Sequence, residues 1–415
     1  MNYLLLNRDR PVLEFSSQRD SFEEPVFQEQ IWLSEYRPIG YKNLNTFLER
    51  RKAPKHREHI RVLLQQYECD DMEGFLQVTH ALSLNDTFWV KPINSTLTWD
   101  DVSLYSNEFD EVISQTAFDG TVSENHFPTT SPEFGTDGMS AKCWIREDRE
   151  VFLYKTGSRQ FEIEPLSEFL ATQLASIICP SFVSYDLDFY HHRLISKCSL
   201  FTDEKTGFAP MSRIFSEKVS IPQLFTYFSN IGSENDFRRM CVLDALIFNK
   251  DRHFGNFGVL FNNENMDILC MAPVFDHNQC LFPHVDDYHV RDLSWYVNQD
   301  VPRLGSDFNV TANELLTPDI ISDLKNLSGF YFTQHPHITA PQSRLDMLST
   351  FVNRQIDNIL GRIPIRAASK INCFILDEEL SPARISDQLA AAKEQAAADQ
   401  LSDRPDPERS ENTSR

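Results

Sequence analysis

No stretch of the chain reaches the run of about 18 apolar residues that a membrane-crossing helix needs. The opening Met1-Asn-Tyr-Leu-Leu-Leu6 breaks at Asn7-Arg-Asp-Arg10, too short for the apolar core of a signal peptide. A soluble, cytoplasmic protein is expected, which does not exclude secretion as an effector. Cations are also scarce: 39 Lys and Arg stand against 61 Asp and Glu, a formal net charge of −22. Phosphate-backbone binding rests on clustered Lys and Arg, so a broad nucleic-acid surface is excluded and no direct nucleic-acid binding is expected. No helix-turn-helix signal is present. The eight cysteines, Cys69, Cys143, Cys179, Cys198, Cys241, Cys270, Cys280 and Cys373, contain no C-x-x-C pair and lie mostly in apolar segments. That excludes a zinc site and a disulfide frame of the usual spacing and predicts reduced core residues. With 415 residues the chain can bury a sizeable core in two or three packed units.

What is present is concentrated in Leu243-Asp-Ala-Leu-Ile-Phe-Asn-Lys-Asp-Arg-His-Phe-Gly-Asn-Phe-Gly-Val-Leu-Phe261, which places Asp251 five residues before Asn256 between a buried helix and a strand. Phosphoryl transfer needs a carboxylate to orient and deprotonate the attacking hydroxyl, with an oxygen ligand nearby for Mg²⁺. A second magnesium ligand should follow on the next hairpin. The segment 257–261 reads as a strand, Asn262-Asn-Glu-Asn265 as a turn and 266–271 as a strand, and Ala272-Pro-Val-Phe-Asp276 ends on a carboxylate. His253 is read as fixing the loop, with Asp251 as the proton acceptor.

A kinase also needs a lysine on a strand to hold the α and β phosphates, and a glutamate on the following helix to position it. Residues 142–146 and 150–155 read as two strands around a turn, and Lys155 is the candidate lysine. Pro165 suits the first turn of an apolar helix opening at Glu164, and Glu168 is the candidate partner, with Glu164 and Glu162 as competitors. Lysines on edge strands and glutamates in first helical turns also occur for solvation and dipole reasons alone. Just upstream, Ser131-Pro-Glu-Phe-Gly-Thr-Asp-Gly-Met-Ser-Ala-Lys142 sets Gly135, Gly138 and Ser140 where a loop could cover phosphates, although a Gly-x-x-Gly spacing is usually just a turn.

Taken together these blocks resemble the HipA-like serine/threonine kinases of bacteria, in particular the shorter single-chain branch whose members are often labelled phosphatidylinositol kinases. The resemblance is also carried by His80-Ala-Leu-Ser-Leu-Asn-Asp-Thr-Phe-Trp-Val-Lys91 and Leu97-Thr-Trp-Asp-Asp-Val-Ser-Leu-Tyr-Ser-Asn107, and it spans residues 1–360. It implies an α+β, bilobal protein-kinase-like fold with an N-terminal accessory subdomain, ATP and Mg²⁺ as cofactors, and transfer to a protein Ser or Thr. By position it makes Asp251 the catalytic base, Asn256 and Asp276 the magnesium ligands, Lys155 the phosphate-holding lysine and Glu168 its partner. It further implies autophosphorylation near the Gly-containing loop, where Thr130, Ser131, Thr136 and Ser140 are available, and a role as a toxin with an inhibitor or antitoxin partner or as an effector. The chain departs from eukaryotic protein kinases after Asp276, where His277-Asn278 replaces Phe-Gly.

The expected boundaries are 1–120 for the accessory subdomain, 121–203 for the smaller lobe, 204–365 for the helical lobe and 366–415 for an acidic, partly helical or disordered tail. Residues 1–6 and 12–15 read as a hairpin, 44–49 and 57–67 as helices, and 190–201 as a strand near the hinge that meets the adenine, with His191 and His192 on opposite faces. Two other functions compete with a protein kinase: a phosphatidylinositol-type lipid or small-molecule kinase, and a catalytically silent kinase fold that only binds.

Overall fold

The computed structural model describes residues 1–361 except Glu23, His56, Glu68, Asp70, 122–130, 159–161, Lys218, 287–288 and 290–292. Residues 1–363 form one unit and 364–415 a second. The expected tail, Thr130 and Cys373 lie outside the described residues.

Three antiparallel sheets follow one another along the chain. The first joins β1 (Asn2–Asn7), β2 (Arg10–Arg19), β3 (Pro25–Trp32) and β4 (Phe88–Pro92) in the order β3-β2-β1-β4. The β1–β2 hairpin turns at Arg8, which takes a left-handed φ of 51°, and its register sets Tyr3 opposite Phe15. Their rings stack at 5.3 Å and, with Phe27, cover one face of the sheet against the helices Leu44–Glu49, Ile60–Gln66 and Met72–Thr79. Asn43 and Asp71 cap two of those helices, accepting from Thr46 N–H at 2.8 Å and Gly74 N–H at 2.7 Å. Such caps satisfy backbone donors that a helix start otherwise leaves open.

The second sheet joins β5 (Lys142–Glu147), β6 (Glu150–Thr156), β7 (Asp186–Tyr190) and β8 (Arg193–Ser199) in the order β5-β6-β8-β7. The helix Glu164–Ile178, with Pro165 in its first turn, enters between β6 and β7. Its Leu170, Ala171, Leu174, Ala175 and Ile178 belong to the largest apolar core, and Glu168 is buried on the same helix. The expected strand over 190–201 is in fact the end of one strand, a turn and another strand. His191 and His192 occupy that turn with φ of 48° and 63°, so they are not paired across a strand. His191 Nδ1 bonds the Asp119 carboxylate and its ring stacks on Tyr190 at 4.2 Å. A two-histidine turn was not legible because it lacks the Gly, Asn or Asp that usually marks a two-residue hairpin loop.

The third sheet, β9 (Thr206–Pro210), β10 (Gly258–Asn262) and β11 (Ile268–Met271), carries the candidate catalytic residues at its ends. The helix Glu234–Ile247 is buried on nearly every side, with Phe237, Met240, Val242, Leu243, Ala245, Leu246 and Ile247 in the core, and it stops where Phe248 turns left-handed at φ 54°. Residues 249–257 then lead into β10. After β11 the chain makes an isolated parallel bridge between Val274 and Phe182. Helices at Ser294–Gln299, Phe308–Glu314, Pro318–Asn326 and Gln342–Gly361 complete this region, as the mostly helical reading of it expected. No described helix is long and apolar enough to cross a membrane.

Candidate active site

The sheet register brings Lys155 to the end of β6, directly opposite Lys142 on β5 and Ser196 on β8. Lys155 Nζ donates to Glu168 Oε1 at 2.9 Å and to Asp276 Oδ1 at 2.6 Å. One buried ammonium therefore ties a strand, a helix and the segment after β11. Among the three glutamates considered, the helix presents Glu168, one turn in from Pro165, and its second oxygen accepts from Ser196 Oγ. Asp276 sits at a left-handed φ of 57°, and its N–H donates to the Tyr185 hydroxyl at 2.9 Å.

The electrostatics follow from burial and this sharing. Burial pulls the Lys155 ammonium down, but Asp276 and Glu168 outweigh it and hold the lysine above its ordinary value. Burial also pushes Asp276 up, and Lys155 overrides it, keeping this carboxyl well below the usual carboxylate range. Glu168, buried deeper, is raised by burial despite the pull of Lys155.

The loop 249–257 is organised by Arg252. Its guanidinium is buried and grips Asp244 of the preceding helix through Nε at 2.9 Å and Nη2 at 2.9 Å. Its Nη1 donates to Asn256 O at 2.7 Å and Phe275 O at 2.5 Å. A single side chain thereby holds the backbone of Asn256 and of the residue before Asp276. Asn256 Nδ2 donates to Asp251 O at 3.1 Å, which leaves its Oδ1 with no described donor. His253, expected to fix the loop by bonding backbone carbonyls, instead accepts from Gly255 N–H at 3.0 Å through Nδ1. Asp251 itself meets Arg303 Nη1 at 2.9 Å.

No group of three or more His, Cys, Asp or Glu among the described residues is placed to hold a metal. Mg²⁺ does not require one, since it binds through one or two carboxylates completed by water and substrate phosphates. The free amide oxygen of Asn256 and the Asp276 carboxylate are hard oxygen donors of the type it takes, so the residues present fit it.

The loop before β5 is held from elsewhere. Residues 132–135 form a short 3-10 turn whose Glu133 is fully buried. Arg57 Nη2 pairs with Glu133 Oε2 at 2.8 Å and donates to Lys142 O at 2.8 Å, while Trp144 N–H donates to Glu133 Oε1 at 2.6 Å. Gly135 lies so close to the Arg51 carbonyl that a Cβ would come within 2.9 Å of it. Gly138 has a φ of 97°, and a Cβ there would meet Lys142 Nζ at 2.1 Å. Of the available hydroxyls, Ser131 accepts from Glu133 N–H, Thr136 donates to Pro132 O at 2.8 Å, and Ser140 is half-buried. Sequence reasoning missed Lys142, Arg252 with Asp244, and Arg57 with Glu133. Asp244 could have been flagged, since a charge inside an otherwise apolar helix requires a partner.

No known family profile and no curated protein sequence matches the chain. Among solved structures, HipA in the Shewanella oneidensis MR-1 HipA, HipB and operator DNA complex superposes with a TM-score of 0.50 at 10% identity, over 86% of this chain and 97% of that one. The chain folds like HipA. The Helicobacter pylori proinflammatory kinase CtkA also matches, over 53% of this chain and 93% of its own, at 17% identity and a TM-score of 0.41. Within the HipA-like fold, mixed in helix and sheet as expected, Asp276 is tied to Lys155 of β6, and the residue before it to the loop 249–257 through Arg252.

Proposed function

We propose that this chain is an ATP-dependent kinase with two lobes, residues 121–203 and 204–365, preceded by an accessory subdomain over 1–120, and that it transfers the γ-phosphoryl group to a Ser or Thr of a protein. The observation that carries this reading is Lys155 bonded at once to Glu168 and Asp276, with Arg252 locking Asn256 and Phe275 beside them. In a kinase the first contact fixes the lysine and the second places the metal-binding carboxylate.

In this reading Lys155 holds the α and β phosphates, with Glu168 keeping its ammonium aimed at them. Mg²⁺, when bound at Asn256 and Asp276, supplies charge neutralisation for the phosphates. Asp251 accepts the proton of the attacking hydroxyl, and the short segment after β8 meets the adenine. Gly135, Gly138 and Ser140 belong to the loop over the phosphates, and Thr136 and Ser140 are the described hydroxyls there that are not buried and so open to autophosphorylation. An inhibitor or antitoxin partner, and a toxin or effector role, accompany this proposal.

The test is transfer from γ-labelled ATP with Mg²⁺, alone and with a lysate, for the wild type, Asp251→Ala and Asp276→Ala, resolved by gel and by lipid extraction. Protein label that disappears in both variants is expected. Label confined to lipid would replace the acceptor class, and no transfer despite ATP binding would leave a binding module.

A further inference from the structure

The ion pair between Arg303 and Asp251 has no part in the chemistry just described, yet it occupies the oxygen on which that chemistry depends. Arg303 Nη1 stands 2.9 Å from Asp251 Oδ1. The arginine arrives on the segment 300–305, whose backbone is fastened to the catalytic loop. Arg303 N–H donates to Lys250 O at 3.3 Å, Lys250 Nζ meets Asp300 Oδ2 at 3.3 Å, and Leu304 lines a small void with Asp244, Asn249 and Arg252. The backbone is anchored, while the side chain is 63% exposed against 27% for Asp251.

An exposed pair of this kind is worth under about 1 kcal/mol, so the guanidinium is held weakly at the point an acceptor hydroxyl must reach. Lys250, the neighbouring cation, already has Asp300 as its counter-charge. When a hydroxyl takes over Asp251 Oδ1, Arg303 is the cation left in need of a partner, and its planar fork of donors matches a carboxylate. The surrounding charge sharpens the choice. On a chain of net charge −22 an acidic acceptor is repelled almost everywhere, and a cation beside the base is what would admit one.

We infer that Arg303 is the specificity determinant of the acceptor site and selects a Ser or Thr that carries an Asp or Glu next to it in a protein segment. This rests on the kinase reading above. The acceptor carboxylate takes the guanidinium, and Asp251 is freed to receive the hydroxyl proton while the new oxygen–phosphorus bond forms and the bond to the departing ADP breaks.

The experiment uses the full chain with ATP and Mg²⁺ on three synthetic peptides of equal length, each with one Ser flanked by Asp and Glu, by Ala and Gln, or by Lys and Arg. The wild type is expected to favour the acidic peptide over the neutral one by about tenfold in kcat/KM, the factor that corresponds to about 1.4 kcal/mol. Arg303→Lys should keep that preference, Arg303→Ala should lose it, and Arg303→Glu should reverse it toward the Lys and Arg peptide. A reversal cannot come from a merely structural role. The inference is overturned if the wild type ignores flanking charge, if Arg303→Glu retains the acidic preference, or if Arg303→Ala accelerates all three peptides alike. The wild type and Arg303→Ala decide the matter even if Arg303→Glu does not fold, because an acidic preference that survives in Arg303→Ala also overturns the inference. A wild type that labels no peptide and no lysate protein would instead overturn the kinase reading itself, a result distinct from transfer without charge preference.

Discussion

Two buried arginines do the same job in different ways. Arg252 and Asp244 are eight residues apart, so the loop 249–257 is clamped by the helix that delivers it. Arg57 and Glu133 are 76 residues apart, so the loop before β5 is clamped by the region of the first sheet and its helices. The main clamp of the loop 249–257 is therefore local, whereas that of the glycine-containing loop comes from the region of the first sheet and its helices. That region is part of the scaffold of the candidate site.

Arg252→Met should have the largest effect. It strands Asp244 in the core and frees two backbone carbonyls, costing about 3–5 kcal/mol of stability. Phosphoryl transfer should vanish with it, because Asn256 and Asp276 both lose their fixed positions. Denaturant unfolding and the labelled-ATP assay measure the two losses, and a variant of near wild-type stability would show that the clamp is not needed. Arg57→Met should cost a comparable but smaller amount, since Glu133 keeps the Trp144 N–H bond at 2.6 Å, and Arg57→Met with Glu133→Gln should recover part of the loss. Its functional signature should differ from that of Arg252→Met, appearing as weaker ATP binding with Asp251 chemistry still in place. Equal losses in ATP affinity and turnover would erase the distinction between the clamps.

A pH test probes the same loop. Burial, with Lys155 and Arg57 nearby, pulls the Lys142 ammonium down to about 7. The unfolded chain keeps this lysine protonated up to its ordinary value, so between roughly pH 7 and 10.5 the unfolded state binds more protons and stability rises with pH. Below that window the protein carries the full cost of a buried charge. Lys142→Met should flatten the rise, with its greatest relative gain in stability at or below neutral pH, as urea midpoints across the range would show. The smallest effect is expected from Gly138→Ala. A left-handed backbone disfavours alanine by about 1 kcal/mol, and its Cβ collides only with the flexible end of Lys142.

Much of this was legible in the chain because the chemistry is local. The hairpin 258–271, the β5–β6 pair, the helix from Glu164 and the spacing from Asp251 to Asn256 are set by alternation, turn residues and a proline in a first helical turn. Lys155, Glu168 and Asp276 could be named separately from those patterns, and the structure joins them. What stayed hidden depends on distant partners. Arg57 reads as an ordinary residue at a helix start until Glu133 is folded over it, and Arg303 carries no pattern at all. Lys142 was visible as a strand residue, but its facing Lys155 is a matter of register. Sequence periodicity reports which face a residue takes, and the partner on that face is supplied by tertiary contact.

The first strand also has an appointment late in the chain. Asn7 Nδ2 donates to Asn263 O at 2.5 Å, Arg10 reaches Glu264 O at 3.1 Å, and Arg8 bonds the carbonyl of Glu204. During synthesis the opening hairpin emerges well before the turn that seals its edge, and at about 5–20 residues per second that delay amounts to tens of seconds. The opening hairpin spends that interval on the ribosome with this part of its surface uncovered.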